Sequence, residues 1–279
     1  MYKNMGNGSR EKGKYPAKAA LALLLGVCLV TGLWRAGKWS ALRKVEAGSR
    51  KMTWRSTVTE SWEQRLARVE AGLKEAEEKE KYLVVLDAGH GGDDPGKIGI
   101  NQAKEKDINL KITYLIKQYL EASDVQVVLT RDTEEGLYDA HASNKKVQDM
   151  KRRIEKIEET DPVLTVSIHQ NSYPEEYVHG AQVFYYNGSS GGQKLAELLQ
   201  KQLTKDLDPE NHRQIKANES YYLLKKTKGT IVIVECGFLS NAAEAEKLCT
   251  ETYQDRVAWS IHKGILQYIA QLENQNREN

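Results

Sequence analysis

Two histidines and two glutamates lie where their side chains could bind a metal ion and hydrolyse a polar bond. His90 lies in a glycine-rich segment after one apolar run, and His169 directly follows another. Glu235 ends a third apolar run, and Glu105 precedes a helical pattern. Two imidazoles and a carboxylate are a common ligand set for catalytic zinc, which keeps its fourth position for water or substrate. The four groups would form a hydrolytic metal site if the fold brought them together.

Each of these residues also has a simpler structural interpretation. The glycines around His90 fit an ordinary turn, or a backbone nest that holds phosphate. Glu105 fits the acidic residue that is common in the first turn of a helix, and Asp107 is expected to cap a helix that begins at Ile108. Glu235 is harder to explain in this way, because a carboxylate at the end of a buried strand costs free energy unless it is paired or functional.

The elements that must position these groups alternate between strands and helices. Continuous apolar runs predict buried strands, and apolar residues spaced by three and four predict helices. The predicted strands are 83–86, 125–129, 163–168, 181–186, 221–224 and 230–234. The predicted helices are 108–120, 143–159, 193–207, 242–249 and 254–272. The alternation predicts an α/β domain with a mixed, largely parallel β-sheet flanked by helices.

This predicted sheet places the candidate groups at one edge. Ligands of open α/β sheets bind beyond the carboxyl ends of the strands. His90, His169 and Glu235 each follow or end a predicted strand. We therefore expect these side chains to converge there, beside the start of the helix that Glu105 precedes.

The N-terminal segment is predicted to anchor the chain in a membrane. Residues 1–18 are polar and mainly basic, whereas residues 19–34 carry no charged side chain. About 20 mostly apolar residues span a bilayer core, with a lower limit near 17, so 19–35 is predicted as a short, uncleaved transmembrane signal anchor. A cleaved signal peptide would need a small-x-small site, which the following residues do not offer cleanly. Bulky Val27 disfavours a lipoprotein site at Cys28.

A charged helical stalk is predicted to follow the anchor, over 36–81. Its apolar residues recur every three or four positions, at Trp62, Leu66, Val69 and Leu73. This stripe covers fewer than two heptads, which favours a plain amphipathic helix over a coiled coil. The predicted parts are a basic cytoplasmic N-terminus at 1–18, the anchor at 19–35, the stalk at 36–81, the catalytic domain at 82–273 and a polar tail at 274–279.

The composition excludes several classes of function. The formal net charge is only +2, from 41 basic and 39 acidic residues, so no nucleic-acid partner is expected. An apolar fraction of 40% suits one globular core rather than a polytopic membrane protein. The 3 cysteines lie at wide spacings and form neither a disulfide framework nor a zinc-ribbon pattern.

Four sequence blocks resemble the zinc-dependent N-acetylmuramoyl-L-alanine amidases of the type 3 class. They are Val85–Gly92 with Asp94–Gly96, Glu105–Leu110, Ser167–Ser172 and Val234–Asn241, and Val128–Asp132 gives further support. Each block alone is a weak signal, but all of them occur in the family's order and approximate spacing. The resemblance covers about 82–272, which is the whole of the predicted catalytic domain.

The resemblance implies a role for each matched residue. In the family, the histidines of the first and third blocks and the glutamate of the second block bind zinc. These residues are His90, His169 and Glu105 here. The glutamate of the fourth block, which matches Glu235, is the acid/base, and Asn171 in the third block is an expected substrate contact.

By this resemblance, the chain hydrolyses the amide bond between the lactyl group of N-acetylmuramic acid and L-alanine in peptidoglycan. Gly180–Tyr186 and Tyr221–Lys225 resemble the spore-cortex branch, whose enzymes remove the peptide before muramic δ-lactam forms. Arg153 matches a family arginine only loosely. The substrate places the catalytic domain outside the cytoplasm, in the cell wall or the forespore intermembrane space. An activating protein partner, or a dimer formed through the stalk, is a further expectation.

Two other functions stay open at this point. One is a non-catalytic amidase-like module that binds peptidoglycan or a partner protein. The other is a zinc peptidase or deacetylase that acts on a different cell-wall bond.

Overall fold

The computed structural model describes residues 61, 63–70 and 82–278 of the chain. Residues 63–70, within the predicted stalk, form a helical segment whose side chains are exposed. The predicted anchor at 19–35 and the basic segment before it lie outside the described residues. Among the helices that are described, none is long and apolar enough to cross a membrane.

A six-stranded sheet forms the centre of the domain at 82–278. Its strands are β1 (Leu83–Ala88), β2 (Gln126–Leu129), β3 (Leu164–Asn171), β4 (Gln182–Tyr186), β5 (Lys216–Asn218) and β6 (Ile231–Phe238). Their spatial order is β2-β1-β3-β6-β4-β5. Only the β4–β6 pair is antiparallel within this sheet. The predicted mixed, largely parallel sheet is therefore confirmed.

Helices cover both faces of the sheet. They are α1 (Glu105–Glu121), α2 (Lys145–Thr160), α3 (Ser190–Leu207), α4 (Tyr222–Lys226), α5 (Ala242–Leu248) and α6 (Glu251–Glu278). Successive strand residues point to opposite faces, so Val84 and Leu86 of β1 join the core under α1, α3 and α6. Val85 joins a smaller core with Ile157 of α2 and Leu223 of α4. The domain thus has three layers, with helices on both sides of the sheet.

The central strands are apolar because both of their faces are covered. Every residue of β6 is buried, and β1 is buried from its second residue onward. A strand of this kind shows a continuous apolar run rather than an alternating one. Polar residues follow the apolar run toward the carboxyl ends of these strands, and the candidate site lies at those ends.

Around β5, one predicted element differs from the structure and one strand was not predicted. The segment 221–224 is predicted as a strand, but Tyr222–Lys226 forms helix α4. A short apolar run does not separate strand from helix, and Asn218 Oδ1 accepts hydrogen bonds from the backbone nitrogens of Ser220 and Tyr221, at 2.8 and 2.7 Å, in a turn just before the helix. Strand β5 has only three residues, Lys216–Asn218, and no apolar pattern, so the sequence analysis missed it.

Two helix ends also differ from their predictions. Helix α1 begins at Glu105 with Lys104 at its N-cap, so the prediction that Asp107 caps this helix is wrong. Asp107 lies instead in the first turn, where a negative charge is favourable. Helix α6 continues to Glu278, so most of the predicted polar tail is helical.

Candidate metal centre and active site

His90, Glu105 and His169 lie together beyond the carboxyl end of β1. One potential ligand atom of each lies within 4.8 Å of the others. His90 Nε2 is 3.3 Å from Glu105 Oε1, and His169 Nδ1 is 2.9 Å from the same oxygen. The two imidazole rings meet edge to face, with their centroids 5.0 Å apart. The structure therefore brings together the three side chains that the sequence analysis proposes as ligands.

His90 is held in an unusual backbone conformation just after β1. Its φ of 63° lies in the left-handed region, which few non-glycine residues adopt. Its Nδ1 is 2.9 Å from Asp94 Oδ2, an arrangement that leaves Nε2 to face Glu105. Burial would lower the pKa of His90, but hydrogen bonds with Asp94 and Glu105 raise it to about 9. The two carboxylates thus favour positive charge at this point, which a divalent cation would also supply.

Glu105 is a buried carboxylate with several hydrogen-bond partners. Its Oε2 accepts a hydrogen bond from the backbone nitrogen of Lys97 at 2.8 Å, and its Oε1 accepts one from that of Gln170 at 3.0 Å. Asn109 Nδ2, one helical turn later in α1, lies 3.3 Å from Oε1. Burial would raise the pKa of Glu105, but the two histidines hold it well below its usual range. Glu105 is therefore ionised and fixed in position.

Two glycines allow the three side chains to approach each other. A Cβ at Gly89 would lie only 2.3 Å from His169 Nε2. A Cβ at Gly96, where φ is +66°, would lie 2.6 Å from Glu105 Oε2 and 2.7 Å from His90 Cδ2. A larger residue at either position would displace a candidate ligand, so the backbone closes this side of the cluster.

The donor set and its surroundings fit a catalytic zinc ion. Two imidazole nitrogens and a carboxylate oxygen match the three protein ligands of such sites. The contact of His90 with Asp94 matches the carboxylates that orient metal-bound histidines from behind. The open side of the cluster faces a cavity of about 750 Å³, large enough for a substrate.

Glu235 lies beside this cluster and faces the same cavity. It is paired in register with His169 across β3 and β6. The side chain is buried, and its Oε2 has no hydrogen-bond partner among the described residues. Burial raises the pKa of Glu235 to about 7, and the nearby hydroxyl of Tyr221 offsets part of that rise. A carboxyl group with a pKa near neutrality can both accept and donate a proton in a reaction.

The lining of the cavity also includes basic and aromatic side chains. Lys145 and Lys146 begin helix α2, and Tyr138 lies on the loop before it. Lys145 Nζ is 2.5 Å from Asp93 Oδ2 and also lies over the Tyr138 ring. Tyr222, which is 54% exposed, lines the cavity as well. The cavity thus joins the candidate ligand cluster to a polar, partly aromatic wall.

Asn171 is oriented differently from its neighbour Gln170. Its Oδ1 accepts a hydrogen bond from the backbone nitrogen of Ser172 at 2.8 Å. In the described part of the chain, Gln170 lines the cavity and Asn171 does not. The predicted substrate contact of Asn171 stays a prediction.

Asp94 and Tyr221 were not predicted as site residues, although both lie in segments that resemble the amidase family. Asp94 lies four residues after His90 in Asp94–Gly96, and that short spacing could have indicated a partner for the imidazole. Tyr221 carries no signal of this kind, because its contact with Glu235 depends on the turn before α4.

Comparisons with known proteins agree with this geometry. The Amidase_3 family, described as N-acetylmuramoyl-L-alanine amidase, matches residues 84–267. A germination-specific N-acetylmuramoyl-L-alanine amidase from Bacillus subtilis is 34% identical over 192 residues, covering 68% of this chain and 80% of that protein. The amidase LytC of the same organism is 31% identical over 187 residues, which are 66% of this chain but only 35% of LytC.

Solved structures show the same similarity. The CwlD amidase from Clostridioides difficile, determined in complex with the GerS lipoprotein, is 37% identical with a TM-score of 0.66, covering 68% of this chain and 98% of that one. The amidase AmiC2 of Nostoc punctiforme is 32% identical with a TM-score of 0.60 at the same coverage. The chain is therefore a peptidoglycan amidase that belongs to the Amidase_3 family of N-acetylmuramoyl-L-alanine amidases.

Proposed function

We propose that the chain hydrolyses the amide bond between the muramic acid lactyl group and L-alanine with a bound zinc ion. His90, Glu105 and His169 would hold the ion, and Glu235 would transfer the protons. The observation that carries this proposal is the convergence of three ligand atoms within 4.8 Å at a cavity that Glu235 also lines.

The chemistry divides between the metal and the side chains around it. A bound zinc ion would polarise the scissile carbonyl and lower the pKa of a water molecule. Glu235 takes a proton from the attacking water and delivers it to the leaving nitrogen as the C–N bond breaks. The products are the lactyl carboxylate and the free amine of L-alanine. Asp94 keeps His90 oriented toward the ligand cluster.

Product analysis tests this reaction. Purified peptidoglycan is digested with the purified chain, with and without a chelator, and the fragments are identified by mass spectrometry. We expect free peptides that begin with L-alanine, unsubstituted muramic acid, and no cleavage after chelation. Cleavage at another bond would support the peptidase or deacetylase alternative instead. Binding without any product would support the non-catalytic module.

We also propose that the chain acts on spore-cortex peptidoglycan. The germination-specific relative and the CwlD structure, which are 34% and 37% identical to this chain, support this more specific assignment. In this role, peptide removal would supply the bare muramic acid from which δ-lactam forms. Expression in a Bacillus subtilis strain that lacks its germination-specific amidase should restore muramic δ-lactam to the cortex. A cortex without δ-lactam, despite active enzyme in the forespore, would contradict the proposal.

A further part of the proposal is that residues 19–35 tether the catalytic domain to a membrane, with that domain on the extracytoplasmic side. The uncharged segment at 19–34 and the location of peptidoglycan support it. The full chain should sediment with membranes and be degraded by protease added outside the cell, whereas a variant that lacks residues 1–35 should be soluble. A full-length chain in the soluble fraction would contradict the tether.

We propose, finally, that a partner protein activates the domain. The structure of CwlD with a lipoprotein supports this, because 98% of that amidase chain aligns with this one. The purified chain alone should then turn over muropeptide more slowly than in a lysate of its native host. Equal rates would contradict the requirement.

A further inference from the structure

Two buried arginines lie beneath the loop that carries His90, and the reaction proposed above gives neither of them a part. Arg131 follows β2 and is 2% exposed, and Arg153 lies in α2 and is 1% exposed. A buried guanidinium group is costly unless its donors find acceptors. The acceptors of these two groups therefore show what the arginines hold in place.

Three successive backbone carbonyls, at the last residue of β1 and the first two residues of the loop, accept hydrogen bonds from the two arginines. The oxygen of Ala88 accepts from Arg131 Nε at 2.9 Å and from Arg153 Nη1 at 2.7 Å. The oxygen of Gly89 accepts from Arg131 Nη2 at 3.1 Å, and the oxygen of His90 accepts from Arg153 Nη2 at 2.5 Å. These bonds fix the backbone on both sides of the His90 Cα atom, where φ has its unusual value of 63°.

Arg131 also connects the segments that carry two of the candidate ligands. Its Nη2 donates a second hydrogen bond, of 2.8 Å, to the backbone oxygen of Lys106. Lys106 lies in the first turn of α1, directly after Glu105. One planar guanidinium group thus contacts both the His90 loop and the start of the Glu105 helix, which sets their separation.

Two aspartates hold Arg153 in its orientation. Arg153 Nη1 is 2.6 Å from Asp87 Oδ1, and Arg153 Nε is 2.6 Å from Asp149 Oδ2. Asp87 also accepts hydrogen bonds of 2.6 Å from Thr130 and Ser167. A buried ion-pair network often adds no stability beyond that of apolar residues of equal volume, so stability alone does not account for this one.

We propose that Arg131 and Arg153 are positioning residues that preform the metal site by holding the His90 loop in its left-handed conformation. The inference rests on the proposed zinc function. Groups behind a metal ligand commonly contribute about 10–100-fold to metal affinity. An arginine can make these contacts because its planar group presents five donors, whereas a lysine carries a single compact charge.

The test compares Arg153→Lys with the wild type in the full-length chain. Lysine keeps the positive charge beside Asp87, but its single nitrogen cannot reproduce the contacts that Nε, Nη1 and Nη2 of Arg153 make with Asp149, Ala88 and His90. The matched control is Arg213→Lys, because Arg213 Nε also donates to a backbone carbonyl, at 2.7 Å, but to that of His179 outside the cavity lining. Zinc affinity is measured by competition with a chromophoric chelator, and the cobalt-substituted forms are compared by visible absorption.

Hydrogen exchange in the metal-free chain gives a second, independent measurement. The amides of Gly91 and Gly92 donate to Asp94 O at 3.1 Å and to Glu134 O at 2.7 Å, and their protection reports the conformation of the loop. Arg153→Lys should bind zinc about 10–100-fold more weakly, show an altered cobalt spectrum and exchange these amides faster. The Arg213→Lys control should match the wild type in all three measurements.

Unchanged zinc affinity and unchanged exchange in a folded Arg153→Lys chain would overturn the inference. If that variant does not fold, Asp149→Asn replaces it, since it weakens one contact of Arg153 while keeping an acceptor; unchanged values there would also overturn the inference. A wild-type chain that binds no zinc would refute the proposed function instead. Exchange at Gly91 and Gly92 would then still test whether the arginines hold the loop.

Discussion

The bodies of the central strands bury apolar side chains, whereas the carboxyl ends of the same strands bury polar ones. In the body of β6, Val232 and Val234 are fully buried and pack in the larger apolar core. One residue later, Glu235 buries a carboxyl oxygen that has no partner among the described residues. The body of the sheet contributes stability through apolar burial. The carboxyl ends of the strands contribute less stability, because they place polar groups that can take part in a reaction.

The conformation of the backbone shows the same difference. The path from β1 into its loop has positive φ at His90, Gly91 and Gly92 in succession, and buried charges lie directly beneath it. By contrast, Leu199 of α3 packs so closely on α6 that a Cβ at Gly264 would lie 2.7 Å from its Cδ2. Substitutions at the edge should therefore change activity far more than stability, and substitutions in the core should do the reverse.

The largest effect is expected for His169→Ala. Removing one of three ligands should abolish zinc binding and bring amidase activity below detection, while the fold is retained because His169 is partly exposed. Zinc content of the purified variant and far-UV circular dichroism check this. A full equivalent of zinc in the variant would refute the ligand assignment.

Glu235→Gln is expected next, with kcat lower by about 10²–10⁴-fold and zinc content unchanged. Burial raises the pKa of Glu235 from its ordinary value of 4.5 to about 7. The protonated carboxyl group therefore makes its full contribution to stability below pH 4.5. That contribution is lost as the pH rises through about 7, because the buried group then ionises. At pH 8 the metal-free variant should be more stable than the metal-free wild type by roughly 1–3 kcal/mol. Wild-type turnover would contradict the acid/base role, and equal stability at pH 8 would contradict the shifted pKa.

Leu199→Ala should show the opposite behaviour. Deleting this fully buried side chain leaves a cavity between α3 and α6, and the free energy of unfolding should fall by about 2–5 kcal/mol. Zinc affinity and kcat, measured well below the midpoint of unfolding, should match the wild type. A large loss of zinc affinity at that temperature would show that the core and the edge are more strongly coupled than we infer.

The smallest effect is expected at the boundary between the two regions. Asn144 Oδ1 caps α2 by accepting a hydrogen bond from the backbone nitrogen of Val147 at 3.1 Å. Asn144→Ala should lower the free energy of unfolding by about 1 kcal/mol. The KM for muropeptide should rise a few-fold with kcat unchanged, because Lys145 and Lys146 follow the cap and line the cavity. Asn144→Ser, which restores a capping oxygen, should recover both values.

The sequence predicted the strand bodies and their polar ends well, because burial on both faces leaves a continuous apolar run. Glu235 could be recognised as a candidate site residue because a charged side chain interrupts such a run there. His90 was not distinctive by itself, because a histidine among glycines is compatible with an ordinary turn. Its assignment depended on the resemblance carried by several blocks together.

Arg131 lies in the Val128–Asp132 block and Arg153 loosely matches a family arginine, but the sequence did not indicate that both lie buried beneath the His90 loop. Arg153 lies in a helix with charges throughout, so its residue type does not distinguish a buried position from an exposed one. Its partner Asp87 lies 66 residues earlier in the chain. The helix at Tyr222–Lys226 was missed for a related reason, since a turn held by Asn218, rather than the spacing of its apolar residues, precedes it.

The glycine backbone at Gly89 and Gly96 has a consequence for inhibitor design. Because that side of the cluster has no space even for a methyl group, a chelating inhibitor would reach an ion bound there only from the cavity. Its chelating group would lie beside His90, Glu105 and His169. Selectivity would have to come from substituents that extend outward, toward the exposed ring of Tyr222 and the ammonium group of Lys146.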